Sequence, residues 1–342
     1  MKLLCFADLQ ITDGHEKCHE HPSRSLQLWR VEKFFKDLHA VYIEHECDGL
    51  VDLGDTTDDR SNIPVPALDV LMQGLSLFAA DGQNYKIIGN HEQYLRDGTI
   101  NTSRLYSSQF SVIQDRAVYD MGSFILALAS FTTDNAGLSD WLSKLKYRKP
   151  VLFFGHLAVS GSVWPNGQPV SGISAELLKP FAAGLLGHIH KPQGIIGNVH
   201  YLGSPFQQDF GEAGDQKRVA VLDTDSMKFT WVPMEGFPQY FTLTWPDFQK
   251  ATLQGEDRFK VVLRSPEEAN EFYNSPKSVR VSEPIYEYQE EQQVVLETEA
   301  QDWSFEGRLR NYVQRMPPDK VGIALDADEM VAWGATLAGV KK

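Results

Sequence analysis

Leu50-Val51-Asp52-Leu53 runs straight into Gly54-Asp55-Thr56-Thr57-Asp58. A short apolar segment that stops at a glycine and a carboxylate reads as a buried strand delivering a side chain to a sheet rim. The event recurs. Lys2–Ala7 ends at Asp8-Leu9-Gln10, Tyr85–Ile88 at Gly89-Asn90-His91-Glu92, Val151–Phe154 at Gly155-His156, and Leu185-Leu186 at Gly187-His188-Ile189-His190. Between them, Leu26 to Ile43 and Val65–Phe78 place apolar residues at three- and four-residue spacings, the pattern of amphipathic helices. Alternating strands and helices predict an α/β architecture, in which ligands collect outside the carboxyl ends of the strands. The strand ends are therefore expected to converge on one rim.

Outward from this core, Phe124–Ala129, Val199–Leu202, Val219–Asp223 and Lys228–Val232 read as further strands, the last three at hairpin-like spacing. Pro233, Gly236 and Pro238 mark a boundary. Residues 1–235 then form the main domain, followed by 236–300 and by a helical segment over 301–342. The middle part carries a small β-α-β unit (Arg258–Leu263, Pro266–Tyr273, Ser278–Ser282) and an acidic, Gln-rich stretch at Glu287–Glu299. The last part carries helices near Asp302–Gln314 and Asp319–Leu337. A length of 342 residues suits one large domain and a smaller one. No apolar run approaches a membrane span, and the N-terminus is unlike a secretory signal. Three cysteines far apart argue for a reducing, cytoplasmic setting. The formal charge of −14 disfavours a broad basic face gripping nucleic acid, although bound divalent cations would invert the sign of a carboxylate-lined site.

Each motif alone is weak, since a Gly-Asp pair is commonly a turn and an Asn-His pair commonly a cap. Their joint occurrence, in order and at expected strand ends, carries the weight. The residue types suit a two-metal centre for phosphodiester hydrolysis, a reaction that needs a nucleophile at neutral pH and positive charge at phosphate. Two cations roughly 3.5–4 Å apart provide both. One carboxylate must bridge them, and Asp55 is the natural candidate. Asp8 and His190 then hold the first ion, and Asn90, His156 and His188 the second. His91, whose neighbour Asn90 takes the metal, is left facing substrate, where it can stabilise charge on phosphate or protonate the leaving oxygen. The competing reading has His91 merely ordering its loop.

Together these motifs resemble the calcineurin-type metallophosphoesterases over roughly residues 1–235. The resemblance implies two mixed β-sheets packed face to face and flanked by helices. It leaves the substrate open, because that fold serves protein phosphatases, cyclic-nucleotide phosphodiesterases and nucleases. Gly187–Gln193, Tyr201-Leu202-Gly203-Ser204-Pro205, Phe210-Gly211-Glu212 and the Val159-Ser160-Gly161 after His156 are similar to the SbcD-type DNA repair exonucleases. That likeness implies a metal-dependent DNA exonuclease or endonuclease subunit working with an SbcC-like ABC-type ATPase. It further implies a small α+β capping domain over 236–300, an ATPase-docking tail over 301–342, and a homodimer. A compact chain of this length suits a phage origin, with action in the host cytoplasm. Candidate phosphate contacts are Arg104, Lys191, Lys217 and Arg218. Trp164 and Phe206 could stack on a base, with packing as the competing reading for both.

One departure stands out. The family pattern places histidine where this chain has Gln10, and an amide oxygen is a harder, weaker donor than imidazole. Preference therefore shifts from zinc toward two Mn2+ ions, with Mg2+ an alternative. His15, His19 or His21 could supply the missing nitrogen, but a solvated loop is favoured for them and for Cys18. Two other functions compete: a phosphatase or small-nucleotide phosphodiesterase, which fits the acidic charge, and an interaction module built on the apolar positions of 302–337.

Overall fold

The computed structural model describes residues 1–287, less 15–17, 19–22, 24, 79–81, 96–97, 107 and 254. Two six-stranded mixed sheets dominate it. In the first, Lys228–Pro233, Arg218–Asp223 and Lys2–Phe6 run antiparallel in turn, and Gly49–Asp52, Tyr85–Ile87 and Ser111–Ile113 continue parallel to Lys2–Phe6. In the second, Val199–Tyr201, Ala183–Gly187, Val151–His156 and Ile125–Ala129 are parallel, with Gln193–Ile196 and Arg116–Asp120 antiparallel at the edges.

Strand alternation explains the layering. Leu3 and Cys5 point one way and meet Leu126, Leu128, Leu152 and Phe154 of the second sheet, forming the core between the sheets. Leu4 and Phe6 point the other way, under the helices Leu26–Glu44 and Val65–Leu75, against Phe34, Phe35 and Leu71. Ser25 caps the first of these helices by accepting from the Leu28 amide, and Pro64 and Pro66 flank the start of the second. On the outer face of the second sheet, the helix Asn135–Lys144 covers Phe153 and Tyr201 through Leu138 and Leu142. The fold is thus two mixed sheets flanked by helices.

Beyond Pro233, the expected β-α-β unit contains one strand more than its pattern suggested. Tyr240–Thr244, Arg258–Leu263 and Val281–Tyr286 form a three-stranded parallel sheet, connected by the helices Trp245–Lys250 and Pro266–Asn274. Pro284 sits in an edge strand, where its missing N–H costs no ladder bond. Trp245, Phe248, Phe259 and Phe272 fill the core of this unit. The helices expected over 301–342 and most of the acidic stretch lie outside the described residues. No helix among the described residues is long and apolar enough to cross a membrane. Cys5, Cys18 and Cys47 are free thiols, all buried. Cys18 is fully buried, not part of a solvated loop as expected: it packs inward, as free cysteines commonly do.

Candidate metal centre

The parallel strands of both sheets deliver their carboxyl ends to one rim. Asp8 follows Lys2–Phe6, Asp55 follows Gly49–Asp52, Asn90 follows Tyr85–Ile87, His156 ends its own strand, and His188 follows Ala183–Gly187. The first two loops run side by side. Asp8 N donates to Gly54 O at 2.9 Å, Gln10 N to Asp55 O at 2.9 Å, and Ile11 N to Thr56 O at 2.8 Å. Holding carboxylates inward at the ends of these strands requires left-handed backbone. Asp8 (φ 53°), Gln10 (φ 45°), Asp55 (φ 53°) and His188 (φ 92°) all adopt it, a concentration of strain expected where geometry serves a site.

The side chains converge tightly. Asp55 Oδ2 lies 3.2 Å from His156 Nε2, which is 3.3 Å from Asn90 Oδ1; Asn90 Oδ1 is 2.8 Å from His188 Nδ1. One donor atom each from Asp55, His156 and His188 can be chosen so that all lie within 4.8 Å of one another. Asp8 Oδ1 accepts from the His188 amide at 2.9 Å, while Asp8 Oδ2 is buried with no hydrogen-bond partner. An orphan carboxylate oxygen beside convergent imidazoles fits a divalent cation, which would supply the missing partner. His190 joins from the side, its Nδ1 2.7 Å from Glu212 Oε1, and Gln10 lines the same opening.

Electrostatics follow from burial and these pairings. Burial lifts the Asp8 pKa to about 6, a rise limited by the positive charges of His156 and His190. Burial would also raise Asp55, but the charge and hydrogen bond of His156, and those of His91, hold it well below the usual carboxylate range. Burial pulls His156 down, yet Asp55 outweighs it and lifts the imidazole to about 9. For His188, burial and the charge on His156 act together and push it to about 3. Orientation is fixed from behind: His156 Nδ1 donates to Leu53 O at 2.8 Å, leaving Nε2 to face Asp55 and Asn90.

His91 is one-third exposed at the mouth, and its backbone N donates to Asp55 Oδ1 at 2.8 Å. Its Nδ1 donates to the Asp58 carbonyl at 2.5 Å, with Asp58 Oδ1 3.7 Å away. This fixes the ring and leaves Nε2 unengaged by that bond. The opening, about 350 Å³, is lined by Gln10, Asp55, His91, Trp164, His188 and His190 among others. Trp164 stands edge-on to His188 with centroids 5.4 Å apart. Phe206, by contrast, is core: it stacks on Phe237 at 5.1 Å and meets Phe34 edge-on.

Of the cations expected at phosphate, Lys217 is a correction. Its side chain is 3% exposed and its Nζ is 2.7 Å from Glu212 Oε2, 2.8 Å from His190 O and 2.9 Å from Ser204 Oγ. All three of its protons have partners, so it has none to offer a substrate. Arg218 also serves elsewhere, its guanidinium 3.8 Å above the Trp231 ring and lining a different cavity of about 960 Å³. Lys191 is half-buried. The side chain of Arg104, with His15, His19 and His21, lies outside the described residues.

Sequence reasoning assigned no role to Glu212, which organises the His190 side of the centre. It accepts from His190, Lys217, Ser204 Oγ at 2.9 Å and Gln208 N at 3.1 Å. Nor did it assign one to Lys86, Asp52 and Glu92 beneath the Asp55 loop. The available signal was a lysine inside the apolar run Tyr85–Ile88, where a charge must find a partner.

No protein-family model matches the sequence. No curated protein matches it either. Among solved structures, the chain is similar to a dimetal phosphatase from Danio rerio, with a TM-score of 0.43 and 14% identity over 69% of this chain and 99% of that one. It is also similar to an archaeal phosphodiesterase, with a TM-score of 0.34 and 11% identity over 68% and 99% of the respective chains. A glutamine-dependent NAD+ synthetase from Acinetobacter baumannii has a TM-score of 0.31 and 9% identity, over 96% of this chain and 69% of that one.

Proposed function

We propose that this chain is a two-metal phosphodiesterase acting on DNA, the nuclease subunit of an assembly with an ABC-type ATPase. The observation that carries the two-metal part of the reading is the convergence of Asp8, Asp55, Asn90, His156 and His188 on one rim, with one oxygen of Asp8 buried and unpartnered; DNA and the ATPase rest on the motif resemblance alone. Asp8, Gln10 and His190 would hold one ion, Asn90, His156 and His188 the other, and Asp55 both; Gln10 favours Mn2+ over zinc. When bound, such ions acidify water and neutralise phosphate charge. The chain's own part is to orient and to move a proton. Glu212 and the Leu53 carbonyl aim His190 and His156. His91, held through Nδ1–H by the Asp58 carbonyl, would act as the imidazolium, passing its Nε2 proton to the leaving oxygen and ending as the neutral Nδ1–H tautomer.

A second reading, a phosphatase or small-nucleotide phosphodiesterase, draws on the burial of Lys217 and the diversion of Arg218, which remove two of four expected contacts to a long polyanion. The test is digestion of end-labelled linear and single-stranded DNA with Mn2+, beside Asp55→Asn and His91→Ala. Chromogenic phosphomonoester and phosphodiester controls run in parallel. DNA cleavage that both variants lose supports the nuclease. Intact DNA with rapid monoester turnover establishes the phosphatase instead.

A further inference from the structure

We propose that Lys86 is a positioning residue for the metal centre: a buried ammonium that locks Glu92 and, through Glu92, sets the spacing between Asp55 and Asn90. The inference rests on the two-metal reading. Lys86 is fully buried within Tyr85–Ile87, and its Nζ lies 2.5 Å from Glu92 Oε1, 3.0 Å from Asp52 Oδ2 and 2.7 Å from Thr56 Oγ1. Those three contacts account for its three protons. Thr56 Oγ1 in turn donates to Asp52 Oδ2 at 2.5 Å, and Asp52 Oδ1 accepts from Gly54 N at 3.0 Å.

The carboxylate that Lys86 holds is the link between two loops. Glu92 Oε2 accepts from Asp55 N at 3.2 Å and from Gly89 N at 2.7 Å, and Glu92 Oε1 accepts from Thr56 N at 2.9 Å. Gly89 immediately precedes Asn90, and Asp55 and Thr56 belong to the neighbouring loop, so one side chain pins both metal-facing segments to each other. A flexible glutamate can do this only if its carboxylate plane is fixed, and the ammonium fixes it. Stability does not account for the arrangement, because a buried ionic triad is commonly no better than apolar packing of the same volume. What the triad adds is a defined distance between the two loops.

Asp52→Asn/Lys86→Met removes one positive and one negative charge together and leaves Glu92 its backbone donors. Glu92→Leu removes the link itself, leaving no acceptor for Asp55 N and Gly89 N. Calorimetric titration with Mn2+ reads the ions, and amide hydrogen exchange on the metal-free protein reads Asp55, Thr56 and Gly89 directly. With near-UV circular dichroism retained, both variants are expected to bind the second ion about 10–100-fold more weakly. The three amides are expected to exchange about tenfold faster or more. Wild-type affinity with unchanged exchange would overturn the proposal. So would loss of the near-UV signal in both variants, which would make the triad a requirement of folding. A wild-type chain that takes up no Mn2+ would sink the two-metal reading alone, and the exchange rates would still decide the clamp.

Discussion

Replacing Glu212 by Gln changes one charge and almost no volume, at a point where four donors meet. Its carboxylate accepts from His190 Nδ1 and Lys217 Nζ, both at 2.7 Å, from Ser204 Oγ at 2.9 Å and from Gln208 N at 3.1 Å. The amide can keep one acceptor but turns its NH2 toward donors, and Lys217 is left with Asp215 at 3.6 Å as its nearest remaining anion. Breaking a buried pair from one side costs about 3–5 kcal/mol, and the retained acceptor favours the low end, about 3 kcal/mol. For a unit of this size that is a fall in Tm of roughly 6–12 °C. Freed from Glu212, His190 should also bind metal about 10–100-fold more weakly. The two effects separate in Lys217→Met/Glu212→Gln, which removes the stranded charge: Tm should largely recover, and Mn2+ affinity should not. Glu212 is shifted below its ordinary pKa because His190 and Lys217 outweigh the opposing effect of burial. Its contribution is therefore present above the unfolded carboxylate pKa and lost as pH falls through the folded one. The Tm gap between wild type and Glu212→Gln must narrow in acid. A single variant with Tm within about a degree of wild type and unchanged Mn2+ affinity would refute the role given to Glu212.

Gly89→Ala is expected to leave the chain folded and cut phosphodiester turnover about 100-fold or more, since a Cβ there would overlap Asp55 Oδ1 and N. Turnover near wild type would show that the Asp55 and Asn90 loops can part freely. Because Asp55 lifts metal-free His156 to about 9, Mn2+ must displace its proton at neutral pH. Apparent affinity should rise by up to about tenfold per pH unit from about 7 to 8.5, with proton release seen by calorimetry in buffers of different ionisation enthalpy. Binding without proton release would contradict that pairing. With Lys217 buried and Arg218 on Trp231, two of the four cations expected at phosphate are withdrawn. The slope of log affinity against log salt should be no steeper than about −1.4, for two neutralised phosphates. A slope near −4 would reveal a basic groove elsewhere.

The rim was legible because its signal is local: an apolar run followed within a residue or two by a metal-type side chain needs no knowledge of the rest of the chain. Asp8, Asp55, Asn90, His156, His188 and His190 all come to one rim for that reason. Facing direction was not legible. Lys217 and Arg218 are adjacent and equally basic in sequence, yet one is drawn inward by Glu212 and the other lies on Trp231. Tyr240–Thr244 escaped notice because its alternation of aromatic, Thr and Leu side chains is short and runs directly into Trp245-Pro246, where the next helix begins.

The acidic total of the chain misleads about the centre in an instructive way. Beneath the Asp55 loop, Lys86 offsets one of two carboxylates, Asp52 and Glu92; beside His190, Lys217 sits against Glu212. Both lysines are spent on geometry, and the polar side chains that line the opening, beside Trp164 and Pro165, are carboxylates, an amide pair and imidazoles. A phosphate ester entering such an opening meets no fixed cation among these lining residues except a protonated imidazole. Asp8 and Asp55 would repel it. Arg60 borders the adjoining cavity with Asn90 and His188, but within this opening, on the two-metal reading, bound ions would supply the attraction for an anion, so metal loading would be a condition of substrate binding and not of chemistry alone. That ordering follows from where the two lysines point, which their place in the sequence does not reveal.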